Sequence, residues 1–314
     1  MSNSTSLVLG SAVTLDASAN DITMDEQLLR LTQLTVNGIA LGSIIALAAV
    51  GLTLTYGILR LSNFAHGDFM TLGAYLTWVA NRSGVNIWLA MILGALVTVL
   101  GMLLCEQLLW SPMRAIRATS TTLIIMSIGL ALFIRNGIIL IWGGSNQSYN
   151  LPVAAAVDIL GIKVPFFDLI VVALAFLAIL GLHFLLQNTK IGKAMRAVAD
   201  NVDLARVSGI NVERVVIWTW VIAGSLTALG GGMLGLTEAV RPNMGWFLIL
   251  PMFASVILGG IGNPYGAIAG ALVIGVAQEV STFLLPTEYK LAVALFIMVL
   301  VLLVRPQGLF KGTL

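Results

Sequence analysis

Polar side chains are scarce in this sequence, so the few that interrupt its apolar runs carry most of the chemical information. Ser62-Asn63-Phe64-Ala65-His66-Gly67-Asp68 places an amide, an imidazole and a carboxylate in one short stretch, followed by Gly73-Ala74. Gly259-Gly260-Ile261-Gly262-Asn263-Pro264-Tyr265-Gly266, followed by Gly270-Ala271, repeats the plan of glycines around an asparagine. Pro264 has no N–H to donate and glycine reaches positive φ, so a sharp backbone break is expected there. A break in apolar surroundings frees carbonyls that must face protein or water. Such interruptions either line a path for a polar solute or let helices pack closely. Their likeness is consistent with a remnant of internal duplication, and breaks at matching places in two halves often mark a transport path.

Arg135-Asn136 lies inside the fourth apolar run. A central arginine costs about 2.5–3.5 kcal/mol on insertion scales, so it needs a partner or a route to the surface. Two readings stay open: Arg135 snorkels outward, or it attracts a substrate carboxylate or anchors an outer gate. His66 reads as a satisfied structural imidazole or as a relay, and Asp68 as a helix cap or the partner of a base. Asn63, His66, Gly67, Arg135, Asn136 and Asn263 are therefore the candidate path or gate residues. Glu106 is expected near a membrane end, in solvent, and Glu279 has no evident partner.

Enzyme chemistry has no support. No nucleophile–base pair stands out and no His/Cys/Asp/Glu cluster has metal spacing. A phosphate-wrapping loop needs Gly, four residues, then Gly-Lys-Ser/Thr. Here Gly192-Lys193 runs on into Ala194, and Lys311-Gly312 is reversed. No cofactor is expected in this chain. Cys105 stands alone in an apolar run and reads as packing.

These residues must be positioned by membrane helices. The 314 residues are 59% apolar and 10% charged, against about 25% charged in soluble domains. The net charge of +2 gives nucleic acid nothing to bind. Nine apolar segments emerge, at 34–58, 64–80, 86–110, 119–142, 166–187, 214–237, 246–262, 264–286 and 289–305. A span needs about 20 residues, so the short or Gly-rich second, seventh and ninth segments are expected to be broken or partly re-entrant. The expected fold is all-α: a polytopic transmembrane helical bundle of about 8–9 spans. Residues 1–33 form a tail and interfacial segment, and 34–314 the membrane domain. The first 29 residues lack Lys and Arg and so do not resemble a secretory signal with its basic n-region; 25–35 reads as an interfacial amphipathic turn leading into the first span.

With nine crossings, one side collects ten Lys/Arg (60, 114, 117, 190, 193, 196, 206, 214, 305, 311) and the other five (30, 82, 163, 241, 290). The richer side is expected to be cytosolic, with the N-terminus outside and the C-terminus inside. Residues 143–165 form the longest outer gap, a connector or a rim for a soluble partner, with a short strand or interfacial piece in 159–168.

Only one gap, 188–214, is densely charged. From Lys193 to Ser208 the spacing predicts one amphipathic helix. Ala194, Val198, Val202 and Ala205 share one face, Lys193, Arg196, Asp200, Asp203 and Arg206 the other. Arg196 and Asp200 form an i,i+4 pair, Gly192 precedes the helix and Gly209 follows as a C′ residue. Such a helix either rests on headgroups or transmits movement from a cytosolic engine.

Three stretches carry a resemblance. GLTLTYGILRLSNFAHGDFMTLGAY (Gly51–Tyr75), GKAMRAVADNVDLARVSGINVERV (Gly192–Val215) and VILGGIGNPYGAIAGALVIG (Val256–Gly275) are similar to motifs of the branched-chain amino-acid ABC importer permeases, and TTLIIMSIGLALFIRN (Thr121–Asn136) is a weaker fourth. Within that family the chain looks most like cyanobacterial permeases for neutral amino acids. The resemblance implies a subunit of an ATP-driven importer for neutral and branched-chain amino acids, in a bacterial inner membrane. It implies a second homologous permease chain, two cytosolic ATPase subunits that bind ATP and Mg, and a periplasmic binding protein. The coupling residues would be Gly192, Lys193, Arg196, Ala199, Asp200, Ala205 and Gly209. The Glu-Ala-Ala triplet common in such docking loops is replaced by Ala197-Val198-Ala199, then Asp200. A permease for urea or another small polar solute, and a lone secondary transporter, are the alternatives.

Overall fold

The computed structural model describes residues 24–152, 155–159 and 161–310. The acidic tail at 1–23 and Lys311 lie outside them. Each of the nine apolar segments is a helix. They are α1 (Met24–Leu59), α2 (His66–Arg82), α3 (Ile87–Cys105), α5 (Ser120–Trp142), α6 (Phe166–Asn188), α9 (Val212–Thr237), α10 (Met244–Gly259), α11 (Pro264–Ser281) and α12 (Lys290–Val304). A π-helical turn, Glu106–Trp110, carries α3 into the short α4 (Ser111–Ala115). Two surface helices, α7 (Lys190–Asp200) and α8 (Val202–Val207), complete the set, with one small hairpin of β1 (Val157–Ile159) and β2 (Ile162–Val164). Among the described residues six helices are long and apolar enough to cross a membrane, and α10 is a shorter apolar one.

α1 is the central post. Gly38 and Gly42, one turn apart, let α11 approach so closely that a Cβ on either would fall within 3 Å of the Val276 or Leu272 Cα. Small residues at this spacing are how membrane helices gain close packing where burial of oil against oil gains nothing. Residues 25–35, expected as an interfacial amphipathic turn leading into the first span, are helical and run into that span as part of one 36-residue helix. Threonines 32 and 35 return their hydroxyls to the carbonyls of Leu28 and Leu31, so no break is needed there.

α2 is the helical part of a broken crossing, entered at Arg60 on the α7 face and left at Asn81 on the opposite face. His66, its first residue, touches Ala48 O, eleven residues before the end of α1. That is about 16 Å up the α1 axis at 1.5 Å per residue, roughly half a bilayer core. After the last α1 bond, Arg60 N to Tyr56 O, residues 61–65 climb back into the bundle as irregular backbone. Neighbours satisfy their backbone N–H groups: Phe64 N donates to Ser127 Oγ, whose own proton goes to Ile124 O, and Ala65 N donates to Asn63 Oδ1. Irregular backbone at this depth is tolerated only when it is buried in protein in this way.

The second glycine-rich interruption behaves differently. Gly260 and Gly262 take positive φ, and Asn263 caps α11 by accepting from Tyr265 N and Gly266 N. Gly262 N donates to Thr53 Oγ1, near the end of α1 that faces α7. This is a tight hairpin at the end of the bundle, not a break inside it. The two Gly-Asn stretches are thus not at matching depths, and the expected duplication does not hold for them. The deep counterpart of α2 is the start of α10.

On the face away from α7, the long connection is tied down. Gln147 and Val240 form an antiparallel bridge, and Asn150 N donates to Asn81 Oδ1. Tyr149 inserts between α2 and α9 and donates to Ala74 O; burial pushes its phenol well above the usual range.

Candidate functional site

Where α2 and α10 begin, their first turns cross inside the bundle. Gly245 N donates to Thr71 Oγ1, and a Cβ on Gly245 would sit 1.8 Å from Gly67 O. Gly67 in turn faces Gly245 and Ile249. The pairing of 67 with 249 and 71 with 245 makes the helices antiparallel, each leading away from this point toward a different face. Both positive helix ends therefore converge within the bilayer depth. Beside them Asp68, fully buried, accepts from Arg135 Nε at 2.9 Å and Nη2 at 3.0 Å. Trp246 covers the guanidinium, its ring centroid 4.4 Å from Cζ. Arg135 is thus paired inward and does not snorkel.

His66 lies on the other side of this crossing. Its Nε2 is 2.9 Å from Ala48 O and 2.8 Å from Thr227 Oγ1. A carbonyl can only accept, so Nε2 carries the proton and Nδ1 is bare. That Nδ1 and Asn63 Nδ2 are buried without a partner among the described residues. Of the candidate path residues, Asn63, His66, Gly67 and Arg135 gather around the crossing. Asn136 does not: it is exposed and donates to Leu132 O on its own helix. Asn263 lies at the far hairpin. Asp68, Thr71, Gly245 and Trp246 complete the cluster, and sequence reasoning did not reach Thr71, Gly245 or Trp246.

The charged gap folds as two helices, not one. α7 ends at Asp200, and Asn201 turns the chain and caps α8 by accepting from Leu204 N. Gly192 is inside the first turn of α7, not ahead of it. Thr189 is the cap, and a Cβ on Gly192 would strike Leu185 O and Leu186 O at the end of α6. Arg196 does not pair with Asp200. It reaches back to Leu186 O and Gln187 Oε1, riveting α7 to α6. Ala199 O accepts from Arg60, which ties α7 to the end of α1. Gly209 (φ +85°) closes α8: Gly209 N donates to Arg206 O and Ile210 N to Ala205 O, a Schellman cap.

The inward-facing set is Gly192, Met195, Val198, Ala199 and Ala205, while Lys193, Asp200, Val202 and Gly209 face out. The outward apolar surface belongs to α8, where Leu204 is 61% and Val207 81% exposed. Those two residues were missed. Their signal was an apolar pair within the one densely charged gap.

Glu106 is buried rather than solvated. It accepts from Trp220 Nε1 at 2.8 Å and is clamped by both Arg114 nitrogens. The π-helical turn rotates it inward, as such turns often do at functional positions. It lines a cavity of ≈ 470 Å³ with Arg206 of α8. Glu279 finds Lys290 at 2.6 Å.

A multi-pass bundle with a buried ion pair where two broken spans cross, and a helix elbow riveted to one face, has an architecture suited to a membrane transport permease. The chain belongs to the family described as the branched-chain amino acid transport system permease component, which matches residues 34–302. It is 32% identical over 304 residues to the permease LivH of Escherichia coli K12, covering 91% of this chain and 97% of that one. LivH of Salmonella typhimurium is 31% identical over 301 residues with the same coverage. BraD of Pseudomonas aeruginosa is 30% identical over 292 residues, 88% of this chain and 94% of its own. No solved structure matches. The protein is thus the non-catalytic, membrane-spanning component of a branched-chain amino acid ABC system, a system that operates with ATPase and binding-protein partners.

Proposed function

We propose that this chain forms half of the translocation path of an importer for branched-chain and other neutral amino acids, in a bacterial inner membrane. A second homologous permease chain completes the path, two ATPase subunits dock on the α7–α8 face, and a periplasmic binding protein delivers substrate to the opposite face. The α7 face is the cytosolic one, which the excess of Lys and Arg there supports. The N-terminus is then periplasmic and the C-terminus cytoplasmic.

One observation carries the reading: α7 is fixed to α6 and α1 by Arg196 and Arg60, while α8 turns Leu204 and Val207 away from the bundle. That arrangement transmits force. A partner gripping α8 moves α7, and α7 moves the ends of two spans. Reconstituted with its partners, the complex is expected to take up L-leucine and L-alanine only with ATP and binding protein. Arg196→Glu places a carboxylate against the Leu186 carbonyl and should abolish uptake while the chain still inserts. Uptake by the permease alone, driven by an ion gradient, would refute the coupling role.

A further inference from the structure

On the face opposite α7, α1, α6, α9, α11 and α12 leave a cleft of two adjoining cavities, ≈ 440 Å³ and ≈ 360 Å³. Leu41, Leu234, Glu238, Glu279 and Lys290 line both. Its charges are unevenly matched. Glu279 is held by Lys290, and Glu238 by Arg241. Asp168, in the first turn of α6, lines the larger cavity beside Glu279, and its carboxylate has no donor among the described residues.

Gln278 supplies the second, independent observation. It is 5% exposed and lines the smaller cavity. Its Nε2 donates to Lys290 O at 3.2 Å. Because that carbonyl can only accept, the amide cannot be flipped, and the remaining atom must be the oxygen. That Oε1 is buried with no partner. A buried amide oxygen left unmade is costly, and the group that would satisfy it is a donor. The cleft thus holds Asp168 without a donor, the unpartnered Gln278 oxygen, Glu288 and two ion pairs, Glu279–Lys290 and Glu238–Arg241, beside an aliphatic wall of Leu41, Ile44 and Leu234.

We infer that this cleft binds the primary ammonium of a zwitterion, with Asp168, Glu279 and Gln278 Oε1 as acceptors, Lys290 facing the ligand's anionic group, and the leucine wall taking an aliphatic chain. A free aliphatic amino acid has this chemistry, and so does a phosphatidylethanolamine headgroup. The inference deepens the import reading and rests on it for the amino acid: the cleft would be the first station of substrate released on the outer face.

The test uses the assembled complex with Thr237→Cys, on the cleft wall, in a Cys105→Ala background, and follows maleimide labelling in phosphatidylcholine vesicles. L-leucine should slow labelling. Leucinol, which keeps the ammonium, should also protect, and 4-methylpentanoate, which lacks it, should not. Asp168→Asn and Gln278→Leu should each weaken protection by about tenfold, the worth of one charge-assisted bond. Protection that instead needs phosphatidylethanolamine, is indifferent to leucine and falls in both variants assigns the cleft to the lipid headgroup. Absence of protection by leucine, leucinol and phosphatidylethanolamine alike, or undiminished protection in both variants, overturns the inference. ATP-driven leucine uptake by the unsubstituted complex is measured alongside, and its absence would count against the import reading, not the site.

Discussion

Arg135 meets Asp68 with two nitrogens and turns its flat face to Trp246, so its charge is consumed three ways. Removing one member of such a buried pair leaves the other uncompensated and typically costs about 3–5 kcal/mol, far more than removing both. Asp68→Asn and Arg135→Gln should each lower the melting temperature of the purified complex and stop uptake. The double variant should melt closer to the unsubstituted protein. A double variant no better than the worse single would mean the pair does not act as a unit. The sequence revealed that both residues lay in apolar runs, and offered a base as one partner for Asp68. It could not join positions 67 residues apart, because only packing brings α2 against α5. Glu106 was misread for a related reason: its distance from a helix end is plain in the sequence, but the π-helical turn that swings it inward is not.

Elements are where hydropathy speaks most clearly. All nine membrane helices follow from runs of apolar residues, because a lipid environment punishes every alternative. The elbow between α7 and α8 was hidden, since Asn201 is as compatible with the outer face of a helix as with a cap. Its cap bond to Leu204 N sets the direction in which α8 presents its apolar pair. Leu204→Glu combined with Val207→Glu should leave membrane insertion intact and remove the ATPase subunits from detergent pull-downs. Retention of those subunits would show that α8 is not the grip. Gly209→Ala should be milder. At φ +85° a side chain costs about 1–2 kcal/mol, loosening α8 without erasing it, and hydrogen exchange at Ile210 should quicken accordingly.

At the scale of the whole molecule, orientation is the open variable that most of the mechanism depends upon. Ser145 and Ser208 are exposed on opposite faces. With each changed to cysteine in turn, an impermeant maleimide should label position 145 on intact spheroplasts and position 208 only after permeabilisation. The reverse pattern would place the elbow outside and remove the motor's access. That these two helices would be broken was foreseeable from the shortness of the second and seventh apolar runs. The depth at which the two helices begin was not, because depth is a property of the assembled bundle.

The crossing of α2 and α10 has a mechanical corollary. Two glycines meet there backbone to backbone, with no side chain between them to yield. A joint that cannot slide or spread can still tilt. A nudge delivered at the α7-side end of α10 therefore arrives at the far end of α2, on the opposite face, as a swing about a fulcrum near mid-membrane. Probes placed beyond either tip should change separation while those beside the fulcrum keep theirs, the signature of a seesaw rather than a piston.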